Sequence, residues 1–170
     1  MELFTIGHSN HKPEDFIKLL QDAGIDEVVD VRSTPYSQWA PFANRENLEK
    51  LLSSFEIRYL YLGDSLGGHI PDLKGNKMSD KLQAYDEMKK NPAFQNGIDK
   101  LINEMDRRRV CIMCAEEDPE SCHRRLLVGT SIMEQGISLI HLRGNGTRQS
   151  EEEIWKKRHH IDKNQIGLPL

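Results

Sequence analysis

The chain has 170 residues, 37% hydrophobic and 29% charged, with a formal net charge of -4. That length supports one domain with a real core, and the balance excludes a disordered chain. A mildly acidic protein is not one that grips nucleic acid over its whole surface, which needs clustered Lys and Arg. No apolar run approaches the roughly 20 residues of a membrane span, so none is expected. Met1 to Gly7 reads directly into a strand without a basic leader, and the 3 cysteines have no disulfide-like spacing. A cytoplasmic location is the expectation.

Leu3 to Ile6 is an apolar strand ending at Gly7, followed by a loop of His8, Ser9 and Asn10. Pro13 opens a helix whose Phe16, Leu19, Leu20 and Ala23 have helical spacing, and Gly24 ends it as a C-terminal cap. Val28, Val29 and Val31 predict a second strand running into Arg32. Tyr36 to Asn44 reads as loop, and a helix from about Arg45 carries Leu48, Leu51, Leu52 and Phe55. Ile57 to Leu62 is a third strand. Gly63 to Lys77 is rich in Gly, Asp and Pro and reads as a long loop, a kind that is usually functional or mobile. Helices are predicted over Lys81 to Lys89 and Pro92 to Asp106, then a fourth strand over Val110 to Cys114. Asp118 and Pro119 predict a helix start, with Asp as cap and Pro at the first position; that helix should run to Gln135 and stop at Gly136. Ile137 to Leu142 is a fifth strand. From about residue 147 the chain is polar and basic, with a short helix around Ile154 and Trp155. The alternation predicts a single α/β domain over residues 1–170. It is a three-layer open, mostly parallel sheet of about five strands with helices on both faces.

In open α/β sheets, ligands bind at the carboxyl ends of the strands. Those ends deliver His8 and Ser9, then Asp30 and Arg32, then Asp64, Gly67, Gly68 and His69, and finally Cys114, Glu116 and Glu117. The fourth loop is the sharpest feature. Its strand points Cys114 at the site, and a helix starting at Pro119 would aim free N–H groups at the same place. Such a setting lowers a thiol pKa or holds a phosphate or carboxylate. Arg124 and Arg125 add positive charge. The plain alternative is a buried strand cysteine. Cys111 and Cys114 form a Cys-x-x-Cys, but three strand steps separate them by roughly 10 Å and turn them to opposite faces. Cys111 therefore reads as core.

Cys122 either packs against the sheet or brings its sulfur near Cys114, as a resolving thiol or a second metal ligand. Cys114, Cys122 and two of His8, His69 and His123 would complete a tetrahedral zinc set. Their spacing matches no standard zinc motif, so no metal ligand is assigned and no cofactor is named. Asp30 and Arg32 bracket Val31 and share a face. They are either a structural ion pair or an anion clamp in which Asp30 orients Arg32 or acts as a base. His8 is either a general acid or base or an ordinary loop histidine. The run from Lys156 to His160 is a solvated face or a phosphate-contacting patch.

Several motifs stand together: Thr5-Ile6-Gly7-His8-Ser9, Asp30-Val31-Arg32-Ser33 with Pro35 and Ser37, Leu66-Gly67-Gly68, and Cys114-Ala115-Glu116 with Cys122-His123-Arg124. In this order they resemble the bacterial and archaeal family called domain of unknown function 488, from the first strand to about Gly146. The resemblance implies a small three-layer α/β domain and supplies no activity. Where that family often has a basic residue after Leu-Gly-Gly, this chain has His69. A fainter likeness is to rhodanese-like domains. It rests on Asp30-Val31-Arg32 and on the run from Cys114 through Gly136, Leu142 and Gly144. In rhodaneses the cysteine carries a persulfide in a short cradle of backbone N–H groups. Here the first arginine after Cys114 is Arg124, a longer loop than that cradle uses.

Three functions compete. The leading one is an enzyme, transferase or hydrolase, acting on an anionic, phosphate-bearing or nucleotide-like substrate. Ser9, Arg32, Gly67, Gly68, Cys122, His123 and Arg124 would bind it. Asp30, Glu116 or His8 would handle protons, and Cys114 would be nucleophile or ligand. The second is sulfur transfer or redox chemistry at Cys114. The third is a non-catalytic module that binds nucleic acid through the basic C-terminal run.

Overall fold

The computed structural model describes residues 1–9, 11–71 and 77–158. Six strands form one sheet: β1 (Glu2–Gly7), β2 (Glu27–Asp30), β3 (Arg58–Tyr61), β4 (Val110–Cys114), β5 (Ser138–Leu142) and β6 (Arg148–Ser150). Their order is β3-β2-β4-β1-β5-β6. Every neighbouring pair is parallel except β5 and β6, which run antiparallel with Leu142 opposite Arg148. The first five are the expected strands. The sixth lies in the stretch read as a polar tail. Arg148, Gln149 and Ser150 carry no apolar pattern, so their pairing is a backbone event at the sheet edge that composition does not signal.

The helices are α1 (Pro13–Asp22), α2 (Arg45–Ser53), α3 (Gly63–Leu66), α4 (Met78–Lys89), α5 (Pro92–Met105), α6 (Thr130–Met133) and α7 (Glu151–Arg158). On one face of the sheet, Phe16 and Leu20 of α1 and Leu48 and Leu52 of α2 pack on Phe4, Ile6, Val28, Cys111 and Met113. On the other, Tyr85, Phe94, Ile98, Leu101 and Ile132 pack on Leu3, Val29, Val110, Ile112 and Leu139. Alternate residues of β4 enter opposite cores, as the two-residue strand period requires. Cys111 is accordingly fully buried against α1 and α2, and Cys114 belongs to the other face. No helix among the described residues is long and apolar enough to cross a membrane.

Two elements differ from expectation near the site. Gly63–Leu66 of the expected long loop is a helical turn, and residues 72–76 of that loop lie outside the described residues. The helix expected from Pro119 does not start there. Asp118 caps only a single tight turn, Pro119–Ser121, by accepting from the Glu120 N–H. Cys122 is then extended, and a π-helical segment, Arg124–Gly129, leads into α6. Within that segment the N–H groups of Arg125 and Leu126 already donate to the Cys122 carbonyl. The expected anion site of free N–H groups at Pro119 is therefore replaced by a turn that delivers the Cys122 side chain.

The connection from β1 to β2 runs through α1 and passes over β4. The connection from β4 to β5 runs through α6 on the opposite face and passes over β1. Neighbouring strands β2 and β4 send their chains apart, to β3 through α2 on one face and to β5 through α6 on the other, which opens a crevice outside their carboxyl ends. Arg32 and Cys114 stand at that crevice, with His8 of the β1 end beside Cys114.

Candidate functional site

The β1 and β4 ends stay paired beyond the strands: the His8 N–H donates to the Cys114 carbonyl at 2.9 Å and the Ser9 N–H to that of Ala115 at 2.8 Å. Gly7 makes this possible, because a Cβ there would sit 1.8 Å from the Glu116 carbonyl oxygen. The β4 loop folds back so that Glu116 Oε2 accepts from the Cys114 thiol at 2.9 Å and from the Cys122 thiol at 3.1 Å. His123 Nδ1 lies 3.4 Å from Cys114 Sγ, and its Nε2 lies 2.8 Å from the Val31 carbonyl. A carbonyl only accepts, so Nε2 carries a proton and the lone pair at Nδ1 faces the sulfurs in the neutral ring. Gly68 gives His123 its seat; a Cβ there would lie 2.4 Å from His123 Cβ.

Burial works against the Glu116 carboxylate, but hydrogen bonds from both thiols, from its own N–H and the nearby His123 outweigh it and hold the group at about 2. A hydrogen bond shared with Cys114, together with burial, pushes the Cys122 thiol up. Burial opposes protonation of His123, but the Cys122 sulfur, the Val31 carbonyl and Glu116 together raise it. The result is a compact group of two sulfurs, a carboxylate and an imidazole, with ligand atoms all within 4.8 Å of one another.

Cys114, Glu116 and His123 of this group line a cleft of about 300 Å³. Its walls include His8, Arg32, Ser33, Tyr36 and His69. Arg32 is 4% exposed. Its Nε and Nη2 donate to the two oxygens of Asp30 at 2.9 and 2.6 Å, and Nη2 also donates to the Ala43 carbonyl at 2.7 Å. Among the described residues, its Nη1 is buried with no hydrogen-bond partner, and so is Nε2 of His8. Burial and the Arg32 charge hold His8 down at about 4, so its ring is neutral near pH 7. His8 Nδ1 contacts the Ser9 carbonyl at 3.3 Å, which puts the proton there and leaves Nε2 as an acceptor.

Residues 12–130 match the family described as Domain of unknown function DUF488. The chain belongs to the DUF488 family. No curated protein and no solved structure matches it significantly.

Of the residues singled out from sequence, the DUF488 fold brings His8, Arg32, Gly68, His69, Cys114, Glu116 and His123 into one cleft, with Cys122 bonded to Glu116 just behind it. The described lining does not include Ser9, Asp30, Gly67 or Arg124. Gly67 lines a neighbouring cavity of about 350 Å³ that shares Ser33 and His69 with the cleft. Asp30 is fully buried, and besides Arg32 it accepts from the Tyr59 hydroxyl at 2.8 Å. It orients Arg32 and is shielded from the cleft. Arg124 is fully buried. It donates to Thr5 Oγ1 and to the carbonyls of Glu116 and Glu117, so it braces the β4 loop from behind. Lys156 pairs with Glu152, and Lys157 and Arg158 pair with Glu120. His159 and His160 lie outside the described residues.

The zinc set weighed from sequence changes membership. Cys114, Cys122 and His123 come together, but among the described residues the fourth donor is Glu116 rather than His8 or His69. Sequence reasoning also missed Ser33 and Tyr36 in the cleft wall and Tyr59 behind Arg32. Ser33 stands one position after Arg32, a signal that could have been followed. Tyr59 becomes visible only through the β2–β3 pairing.

Proposed function

We propose that this DUF488 protein is an enzyme acting on a small anionic substrate, phosphate- or carboxylate-bearing, in the cleft at the β1 and β4 ends. The observation that carries the reading is that two residues lining the cleft, Arg32 and His8, each hold a buried polar atom, Nη1 and Nε2, with no hydrogen-bond partner among the described residues. Buried polar groups without partners are rare, and an unpaired guanidinium N–H is costly unless a ligand completes it. Arg32 offers a donor to an anionic oxygen, with two of its nitrogens already fixed by Asp30. Neutral His8 offers an acceptor for a hydroxyl proton of the substrate or of an attacking water. The chemistry then falls to the group under the anion: Cys114, Glu116 and His123. Transfer or hydrolysis of the anionic group is the reaction class this arrangement supports.

Calorimetric titration with inorganic phosphate tests the reading. Saturable binding at one site is expected, weakened more than tenfold by Arg32→Lys and by His8→Phe. Phosphate that fails to bind the intact protein, or binds both variants as well as the parent, refutes it.

A further inference from the structure

We infer that Cys114, Cys122, His123 and Glu116 hold a divalent metal ion of the zinc class, with Glu116, on the cleft side, as the exchangeable ligand. Thiolate, imidazole and carboxylate are the donor types zinc takes. A tetrahedral ion with bonds of about 2.0–2.3 Å places its ligand atoms roughly 3.3–3.8 Å apart. Here the contacts from Cys114 and Cys122 to Glu116 and from Cys114 to His123 are 2.9, 3.1 and 3.4 Å. A small outward shift of the side chains surrounds an ion.

Two further observations point the same way. His123 donates its outer N–H to the Val31 carbonyl at 2.8 Å. Metal-bound histidines are held by this kind of outer contact, which fixes the ring and aims the lone pair at the ion. The second is charge. Two sulfurs and a carboxylate converge on one point; as thiols the sulfurs donate to the carboxylate, and as thiolates all three are held together by a cation. On binding, each thiol gives its proton to solvent and two metal–sulfur bonds form, so one ion displaces two protons. Cys114 and Cys122 are buried while Glu116 is exposed. His123 is half-buried, so Glu116 is the most accessible of the four donors, the position that a metal site can exchange for water or substrate. The ion itself needs nothing from the proposed function. Its placement beneath the Arg32 anion site rests on that reading.

The full chain, stripped with a chelator, is titrated with Co²⁺ and then Zn²⁺. One Co²⁺ per chain is expected, with sulfur-to-cobalt charge-transfer absorption that Zn²⁺ abolishes by displacement. Cys114→Ser and Cys122→Ser should each weaken Zn²⁺ binding at least 100-fold and Glu116→Gln about tenfold, while Cys111→Ala should leave it unchanged. Saturating Co²⁺ without charge-transfer absorption, or affinity retained in both serine variants, overturns the inference. The parent spectrum needs no variant, so misfolding of one cannot mask that outcome. Phosphate titrated into the stripped protein separates the two proposals. Phosphate binding with no metal binding defeats the metal site alone, and metal binding with no phosphate binding defeats the cleft reading alone.

Discussion

Replacing Asp30 by Asn probes the support under Arg32. The Asp30 carboxylate is fully buried and accepts from Arg32 N, Nε and Nη2 and from the Tyr59 hydroxyl. Asn keeps the shape, loses the charge and offers one acceptor oxygen instead of two. The Arg32 charge is then left inside without its counterion. Breaking a buried pair in this way costs about 3–5 kcal/mol. For a domain of this size each kcal/mol lowers Tm by about 2–4 °C, so a drop of about 6–20 °C is expected. Tyr59→Phe removes a single hydrogen bond to a charged acceptor and should cost about 1.5–3 kcal/mol. The two share one acceptor, so the double variant should lose less than the sum. Urea and thermal denaturation of the four proteins give all three numbers. An Asp30→Asn protein within about 1 kcal/mol of the parent would refute the view that Asp30 acts by holding Arg32, and a loss confined to catalysis would restore it as a base.

Burial alone would raise the Glu151 carboxyl, but hydrogen bonds from His141 and Arg125 outweigh it and hold the group at about 2 against an ordinary 4.5. A depressed carboxylate stabilises the fold above about pH 4.5 and loses that contribution as pH falls towards 2, so urea midpoints should fall more steeply over that window in the parent than in Glu151→Gln. Gly68→Ala should displace the His123 ring and weaken both phosphate and Zn²⁺ binding about tenfold, while overpacking costs about 1–3 kcal/mol; calorimetry beside a denaturation curve checks both. Arg124→Met should destabilise by several kcal/mol through the carbonyls of Glu116 and Glu117 that it leaves unpaired, and a stable Arg124→Met that has lost only phosphate affinity would show that Arg124 contacts the ligand.

Local pattern in the sequence was enough for the layers. Near-continuous apolar runs such as Val28–Val31 and Val110–Cys114, and helical spacing in Phe16, Leu19 and Leu20, depend only on neighbours along the chain. The same local logic correctly set Cys111 in the core, and the carboxyl-end rule selected His8, Arg32, Cys114 and Glu116 before any coordinates. Local pattern misjudged the start at Pro119. A proline and a capping aspartate satisfy the first turn equally well whether a helix continues or the chain turns away. What decided between them was the tertiary position of Cys122 and Arg124, tied to Glu116 and to the β4 loop carbonyls. Strand order, likewise, has no local signature. By inserting β4 between β2 and β1 it set His8 beside Cys114. It also left Arg32 lining the cleft with both N–H groups of Nη1 unpaired among the described residues. The sequence by itself determined the α/β class and which strand ends carry the cleft-lining side chains, because both follow from short-range patterns. Only the tertiary structure decided that two cysteines, a histidine and a glutamate of residues 114–123 share one point, because the path of that loop is set by contacts with Thr5, Val31 and Gly68, far away along the chain.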